Sequence, residues 1–484
     1  MKSFGNIAKD GQVRVVASGT LTDGKAVIVN ANGTVSVVDP TSGSPAFGSA
    51  VVFNAATVAE TAATFDSNSN KVVIAYRDYG NSSYGTAIVG TVSGNSISFG
   101  SEVVFESGGP VSYLAATFDS NSNKVVIAYK DEANTNKATA IVGTVSGTSI
   151  SFGSHVIFHS SNFFYTDAVF DSNSNKVVIT YAPEPNYYTT TIVGTVSGTS
   201  ISFGSPVQVY SNNGNQARST FDSNSNKVVI TYEGSSNYPN VVVGTVSGTS
   251  ISYGTAVVAQ SVGSNSFSLT FDSNSNKVVL GYRATTSSNH GTAVVGTVSG
   301  TSISFGTPVV FIGGSGTSQD SINLAFDTST NKVGVVYRDV TTSPYYGQFV
   351  LGTVSGTSIS FGTATDVSDK PFNSSPYNAT VFDSNNNSFV VSFKTSTDNY
   401  GYTSVFGAAT NLTTENFIGF SDGAFATTQS AVINTANTID RNQTSLTPGQ
   451  TYFVLPTGAL STTAGDPSVK AGTAISSTEL IVKG

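Results

Sequence analysis

The sequence has no cysteine and no tryptophan, and only 10% of its 484 residues are charged. Without cysteine there is no disulfide, no thiolate nucleophile and no Cys-ligated zinc or iron–sulfur site. Basic residues are few, 21 against 29 acidic ones, for a net charge of -8. Such a chain is a poor partner for nucleic acid or anionic lipid. No apolar run reaches the roughly 18 residues that a membrane-spanning helix needs. The first residues, Met1 to Gly19, carry Lys2 but no apolar stretch, so they do not read as a secretory signal. Helical periodicity is also missing, as are GxSxG, P-loop and dinucleotide-binding glycine motifs in a strand–helix setting. What remains is ample: 38% apolar residues, enough for a real core, and 48 glycines.

The dominant feature is an internal repeat. A phrase close to FDSNSNKVV recurs with its Asp at Asp66, Asp119, Asp171, Asp222, Asp272, Asp327 and Asp383. A second phrase, GTVSG, begins at Gly90, Gly143, Gly194, Gly244, Gly296 and Gly352, and decays at Gly407. After each intact copy comes SIS, an aromatic residue and Gly. One unit reads as four strands: one ending in Thr64-Phe65, then Lys71 to Tyr76, Thr86 to Val92, and Ser96 through Phe99 to Phe105. Asp-Ser-Asn-Ser-Asn and Ser-Gly supply the tight turns.

Lys71 to Tyr76 is apolar on both faces, so its sheet is covered on both sides. Four-stranded sheets buried on both sides and repeated every 50 residues or so describe the blades of a β-propeller. The seventh unit has only three strands, Phe382, Phe389 to Phe393 and Thr403 to Phe406. Its missing strand lies upstream of the first unit, in residues 44–53, which match SISFGS-x-VVF. The N-terminal segment therefore closes the ring and removes the open sheet edges of a linear array.

The flanks are not repeats. Lys25 to Val38 is a hairpin turning at Asn32-Gly33. Beyond Asn416 lie Gln429 to Ile433, Thr451 to Val454 and Glu479 to Val482, with turns at Leu446 to Gly449 and Ala471-Gly472. Neither flank makes a core alone. The expected fold is all-β: a seven-bladed propeller, residues 41–415, inserted into a small discontinuous β-barrel of residues 1–40 and 416–484.

The flanking stretches GKAVIVNANGTVSVV, FIGFSDGA, SLTPGQTYFVLPTGALSTT and VKAGTAISSTELIV resemble small β-barrel modules of tailed-bacteriophage virion proteins, of the head-decoration and fibre-associated kind found in marine phages. The resemblance covers Gly11 to Val38 and Phe417 to Lys483. It implies a virion surface protein assembled in a host cytoplasm, with other virion proteins as partners and a homo-trimer as an assembly common among fibres.

The units differ from one another in only two places. The turns after the first and third strands hardly change, whereas the connections after the second and fourth change completely. Compare Asp78-Tyr-Gly-Asn-Ser-Ser-Tyr84 with Ala182-Pro-Glu-Pro-Asn-Tyr-Tyr188. Because strands alternate in direction, all this variation falls at one end of the ring. That end carries Tyr79, Tyr84, Tyr113, Phe163, Phe164, Tyr165, Tyr187, Tyr188, Tyr238, Tyr345, Tyr346, Tyr377, Tyr400 and Tyr402. Tyr among Ser, Gly and Asn on rigidly held loops is the composition of a recognition surface, and aromatic faces suit sugar rings.

Other features read as structural. Asp66-Ser-Asn-Ser-Asn70 imitates the start of an EF-hand loop but has Lys71 where that loop needs Gly. Lys71, Lys124, Lys176, Lys227, Lys277 and Lys332 are expected to pair with the Asp of their own turn. Arg77-Asp78 and Arg338-Asp339 read as strand-end pairs, with Arg283, Lys130 and Lys394 at equivalent sites. His155, His159 and His290 do not form a metal-ligand pattern. Carboxylates such as Asp131, Glu132, Glu184, Glu233 and Asp339 are spread over different units, which disfavours a glycan depolymerase. The expectation is a non-enzymatic virion protein without cofactor or metal, binding a host-surface glycan or receptor through the variable end. The alternative is a decoration protein that stabilises a capsid or tail.

Overall fold

A computed structural model of the chain describes residues 7–8, 11–30, 32–39, 45–313, 321–374, 378–408, 412–455, 457–465 and 468–483. Its contacts divide it into two units, Met1–Ala46 with Ser93–Ser96 and Gly407–Gly484, and Phe47–Val92 with Ile97–Phe406.

The larger unit is a β-propeller of seven antiparallel sheets. In the second sheet the strands are Val111–Asp119, Lys124–Asp131, Lys137–Ser146 and Ser149–Phe152. The fourth strand, expected from the sequence to be continuous, is in two pieces. It breaks after Phe152 and resumes as Val156–His159, still paired with the third strand. Gly153 sits at the break, where its N–H bonds the Val142 carbonyl at 2.9 Å. The seventh sheet is completed from upstream, with Val51 opposite Thr403 and Val52 opposite Tyr402. Each inner strand lies against the next, and that of the seventh sheet, Asn378–Asp383, lies against Val58–Asp66 of the first. The ring is closed.

Burial explains the two-sided apolar strands. Val125, Val126, Ile127, Ala128 and Tyr129 are all fully buried. The tyrosine ending this run recurs as Tyr76, Tyr129, Tyr181, Tyr232, Tyr282 and Tyr337, with Phe393 in the seventh sheet. An aromatic side chain from the preceding blade's outer strand packs on it: Phe53 on Tyr76 at 5.1 Å, Phe105 on Tyr129 at 5.3 Å, Phe158 on Tyr181 at 5.3 Å and Phe311 on Tyr337 at 5.3 Å. Aromatic pairs at such separations contribute about 0.5–1.5 kcal/mol beyond the area they bury.

The constant turns are self-sufficient. Asp119 Oδ1 accepts from the backbone N–H groups of Asn121 at 2.9 Å and Ser122 at 3.0 Å, and the other six turns repeat the arrangement. The last Asn of the turn has φ near +54°, a left-handed conformation that Asn tolerates. These carboxylates are buried and committed to backbone. Among the described residues none of the six turn lysines lies within 4.0 Å of a carboxylate, which corrects the expected Lys–Asp pairs. The Arg–Asp dipeptides do not pair internally either. Arg77 Nη1 reaches Glu132 of the next blade at 3.2 Å, and Asp78 Oδ1 accepts from Gly80 N at 2.9 Å. Arg338 Nε donates to the Phe372 carbonyl at 3.1 Å.

In the smaller unit, strand Gln12–Val16 pairs with Ser430–Asn434, and Ala26–Val29 with Phe417–Ser421, within a six-stranded sheet. A five-stranded sheet holds Thr451–Val454, Val469–Ala474 and Leu480–Val482. One core spans both, joining Ala26, Ile28 and Val38 to Phe420, Val454, Ala471 and Leu480.

At Gly153 an added Cβ would overlap the Thr199 carbonyl of the next blade's turn. Gly153→Ala is expected to destabilise by about 1–3 kcal/mol, the usual cost of overpacking. Thermal melts of this variant and the parent check this, and equal melting temperatures would contradict the seam described above.

Candidate functional site

The register of each sheet places four chain positions together at one end. In the second blade these are Val111, Asp131 and Lys137, which are aligned across three strands, and His159 opposite Ala138. The variable connections emerge there, and the Asp turns lie at the other end.

The predicted residues fall into three groups at this end. Tyr79 and Tyr345 are exposed, and each carries a guanidinium over its ring, Arg77 at 4.8 Å and Arg338 at 4.7 Å. Tyr84, Tyr188 and Tyr346 open the third strands of their blades, half-buried, and Tyr238 immediately precedes the third strand of its own. Tyr400 is half-buried beside Asp398, whose carboxylate accepts its N–H at 2.9 Å. Tyr402 is a core residue. Its ring stacks on Phe393, its hydroxyl donates to Asp398 Oδ2 at 2.8 Å, and burial pushes its pKa up to about 12. Tyr377 lies outside the described residues.

The third group is brought together across blades. Tyr113, Phe164 and Tyr165 sit near the start of inner strands rather than in loops. Tyr113 packs on Phe164 at 5.4 Å and on Tyr165 at 6.0 Å, and Phe164 packs on Tyr187 at 5.3 Å. Phe163 is buried beneath them. Lys130 places its ammonium between two of the rings, 4.6 Å from Tyr113 and 5.0 Å from Phe164. Burial holds the Lys130 pKa below its usual value, against the pull of Glu132, Glu60 and Glu184. Carboxylates from three blades thus surround one ammonium, a grouping invisible in the sequence. Each has a partner: Glu60 accepts from Tyr113 N at 3.1 Å, Glu132 from Arg77, and Glu184 from Asn162 at 2.8 Å and the Tyr187 hydroxyl at 3.1 Å.

Below this cluster the seven inner strands enclose a cavity of about 480 Å³. Its lining comes from the residues three to six positions before each repeat's Asp, so it occupies the half of the channel nearer the variable end. Glu60, Tyr113, Tyr165, Gln216 and Ser266 hold equivalent places there, each at φ between 50° and 57°. Side chains lace neighbouring inner strands together. Besides Glu60, Asp167 Oδ2 accepts from Ser219 N at 2.6 Å, Gln216 Oε1 from Ser266 N at 2.7 Å, and Asn323 Nδ2 donates to Asn378 Oδ1 at 2.6 Å. Inner-strand edges have no further strand to pair with, and the bonds of Glu60, Asp167 and Gln216 each satisfy one edge N–H of the next inner strand. Sequence reading overlooked this lining because it lies inside strands; the signal was that the units already diverge at those strand positions.

No family model matches the chain, and no curated protein matches its sequence. Among solved structures it is similar to AofleA from Arthrobotrys oligospora, at 8% identity and a TM-score of 0.42 over 66% of this chain and 87% of that one. It is also similar to the periplasmic gluconolactonase PpgL of Pseudomonas aeruginosa, at 13% identity and a TM-score of 0.45 over 74% and 97%. A protein from Lactobacillus plantarum gives 13% identity and a TM-score of 0.47 over 73% and 96%.

Burial raises the pKa of Asp167 despite the nearby Arg218 guanidinium, and the surface that Asp167 retains faces the cavity. A carboxyl raised on folding favours the folded state below its unfolded pKa of about 4 and loses that contribution as pH rises through the folded value. Asp167→Asn should therefore gain stability relative to the parent chain between pH 4 and pH 8, read from melting temperatures. A difference that is flat with pH, or that grows as pH falls, would contradict this.

Proposed function

We propose that the chain is a non-enzymatic recognition protein whose propeller binds a host-surface glycan or receptor through its variable end. The observation that carries this reading is the confinement of sequence variation to one end of a closed, otherwise repetitive ring. A scaffold that only filled space would have no reason to hold its constant turns and seams fixed while its loops diverge on one side alone. The second support is chemical. Aromatic rings from two blades meet around Lys130, offering flat apolar faces beside charged and hydrogen-bonding groups, as saccharides require. The carboxylates around Lys130 are each hydrogen-bonded, which positions this cluster.

The flanking unit is the anchor in this reading. Its sequence resembles barrel modules of phage virion proteins, and its two sheets share one core drawn from both ends of the chain. The protein would then sit on the surface of a phage particle, with other virion proteins as its neighbours.

Binding of the full chain to an array of bacterial surface glycans tests the reading. Saturable binding is expected, weakened about tenfold or more by Tyr187→Ala with Tyr188→Ala, the scale of an aromatic interface anchor. Binding unchanged both in that variant and in Tyr345→Ala with Tyr346→Ala would sink the assignment to the variable end. An array without binding would favour a purely structural decoration.

A further inference from the structure

We propose that Tyr79 and Tyr345 are two separate stacking platforms for sugar, and that each takes a neutral pyranose residue of gluco configuration, whose ring C–H groups all point axially. The proposal deepens the recognition reading above and rests on it for the host-surface origin of the glycan.

Among the described residues these are the only Tyr or Phe side chains that are exposed, Tyr79 at 49% and Tyr345 at 38%. They sit on the first and sixth blades with the seventh between, so each is a subsite of its own. One face of each ring is covered by a guanidinium, Arg77 at 4.8 Å and Arg338 at 4.7 Å. Those guanidinium groups are themselves held, Arg77 by Glu132 at 3.2 Å and Arg338 by the Phe372 carbonyl at 3.1 Å. The backbone is tied as well. Tyr79 N–H donates to the Thr57 carbonyl at 3.0 Å, and the Tyr345 carbonyl accepts from Phe372 N at 2.9 Å. The two loops share no sequence, Asp78-Tyr-Gly-Asn in one and Ser343-Pro-Tyr-Tyr in the other, yet both arrive at a braced, exposed ring. A ring fixed before its ligand arrives loses little conformational entropy on binding.

The opposite face of each ring is open. Among the described residues no other aromatic ring packs on either, and neither hydroxyl makes a hydrogen bond. The carboxylates beside them are committed to backbone, Asp78 to Gly80 N at 2.9 Å and Asp339 to Thr341 N at 2.8 Å. A flat apolar face with no uncommitted charge next to it suits a neutral ring that presents a flat C–H face. A β-glucoside carries every ring substituent equatorially, so both of its faces present axial C–H groups. An α-mannoside has an axial oxygen on each face and lies flat on neither.

Saturation-transfer NMR of the full chain with methyl β-D-glucopyranoside and methyl α-D-mannopyranoside tests the platforms. The glucoside should receive saturation, chiefly on its ring C–H protons, and the mannoside severalfold less. Tyr79→Ala and Tyr345→Ala should each remove about half of the glucoside signal and the double variant nearly all of it, as independent sites do. Tyr79→Phe and Tyr345→Phe, which keep the rings, should leave it in place. Both residues are exposed, so every variant should melt as the parent does. The proposal is overturned if the glucoside gives no signal, if the mannoside gives as strong a signal, or if the double alanine variant keeps the glucoside signal. On the glycan array, binding lost in Tyr187→Ala with Tyr188→Ala but unchanged in the double alanine variant would overturn the platforms alone. Glucoside signal lost in the double alanine variant, with no glycan bound on the array, would instead overturn the host-surface reading and leave the platforms standing.

Discussion

The propeller depends on the seam between one blade and the next. An aromatic residue at the end of each second strand, tyrosine in six blades and Phe393 in the seventh, is buried there, and in most blades it packs on an aromatic side chain from the outer strand of the blade before it, as Tyr129 does on Phe105. At the other end of the seam, the glycine that breaks the outer strand admits the next blade's turn, as Gly153 admits Thr199. Neither contact exists within a blade, so a single repeat cannot bury its own faces. Closure lets the seventh blade meet the first, with Phe53 from the upstream segment packing on Tyr76.

That constraint divides the molecule's labour. Seam residues and Asp turns cannot vary without cost, because each carboxylate is committed to backbone and each tyrosine to a neighbour. The opposite ends of the strands are under no such demand, and there the units diverge. The inner strands are intermediate. Their side chains lace neighbouring strands, yet they do so with different chemistry at each seam: a glutamate at one, an aspartate, a glutamine and an asparagine at others. Bonding that only closed the ring could have repeated like the turns. The variety leaves a cavity whose lining changes from one seam to the next.

The blade count and the one-sided variation were legible because both follow from period and strand alternation alone. Tyr402 was misplaced, since two-residue alternation says which face a strand residue takes but not whether a neighbouring blade covers it. Tyr113 and Tyr165 resembled loop residues, because the left-handed backbone that bulges their strands at φ 52° and 50° has no sequence signature in tyrosine. The expected Lys–Asp pairs failed for a related reason: the turn's own N–H groups capture the carboxylate first. The grouping of Glu60, Glu132 and Glu184 about Lys130 depends on contacts between blades, which no spacing along the chain reveals.

Hydrogen exchange on the full chain, with and without a glycan selected on the array, tests the central claim most directly. Recognition at the variable end predicts slowed exchange in the connections at 79–84, 182–188 and 340–346 and at the start of the inner strands, with the Asp turns unchanged. Protection confined to the Asp turns, or to the flanking strands 12–16 and 430–434, would contradict it.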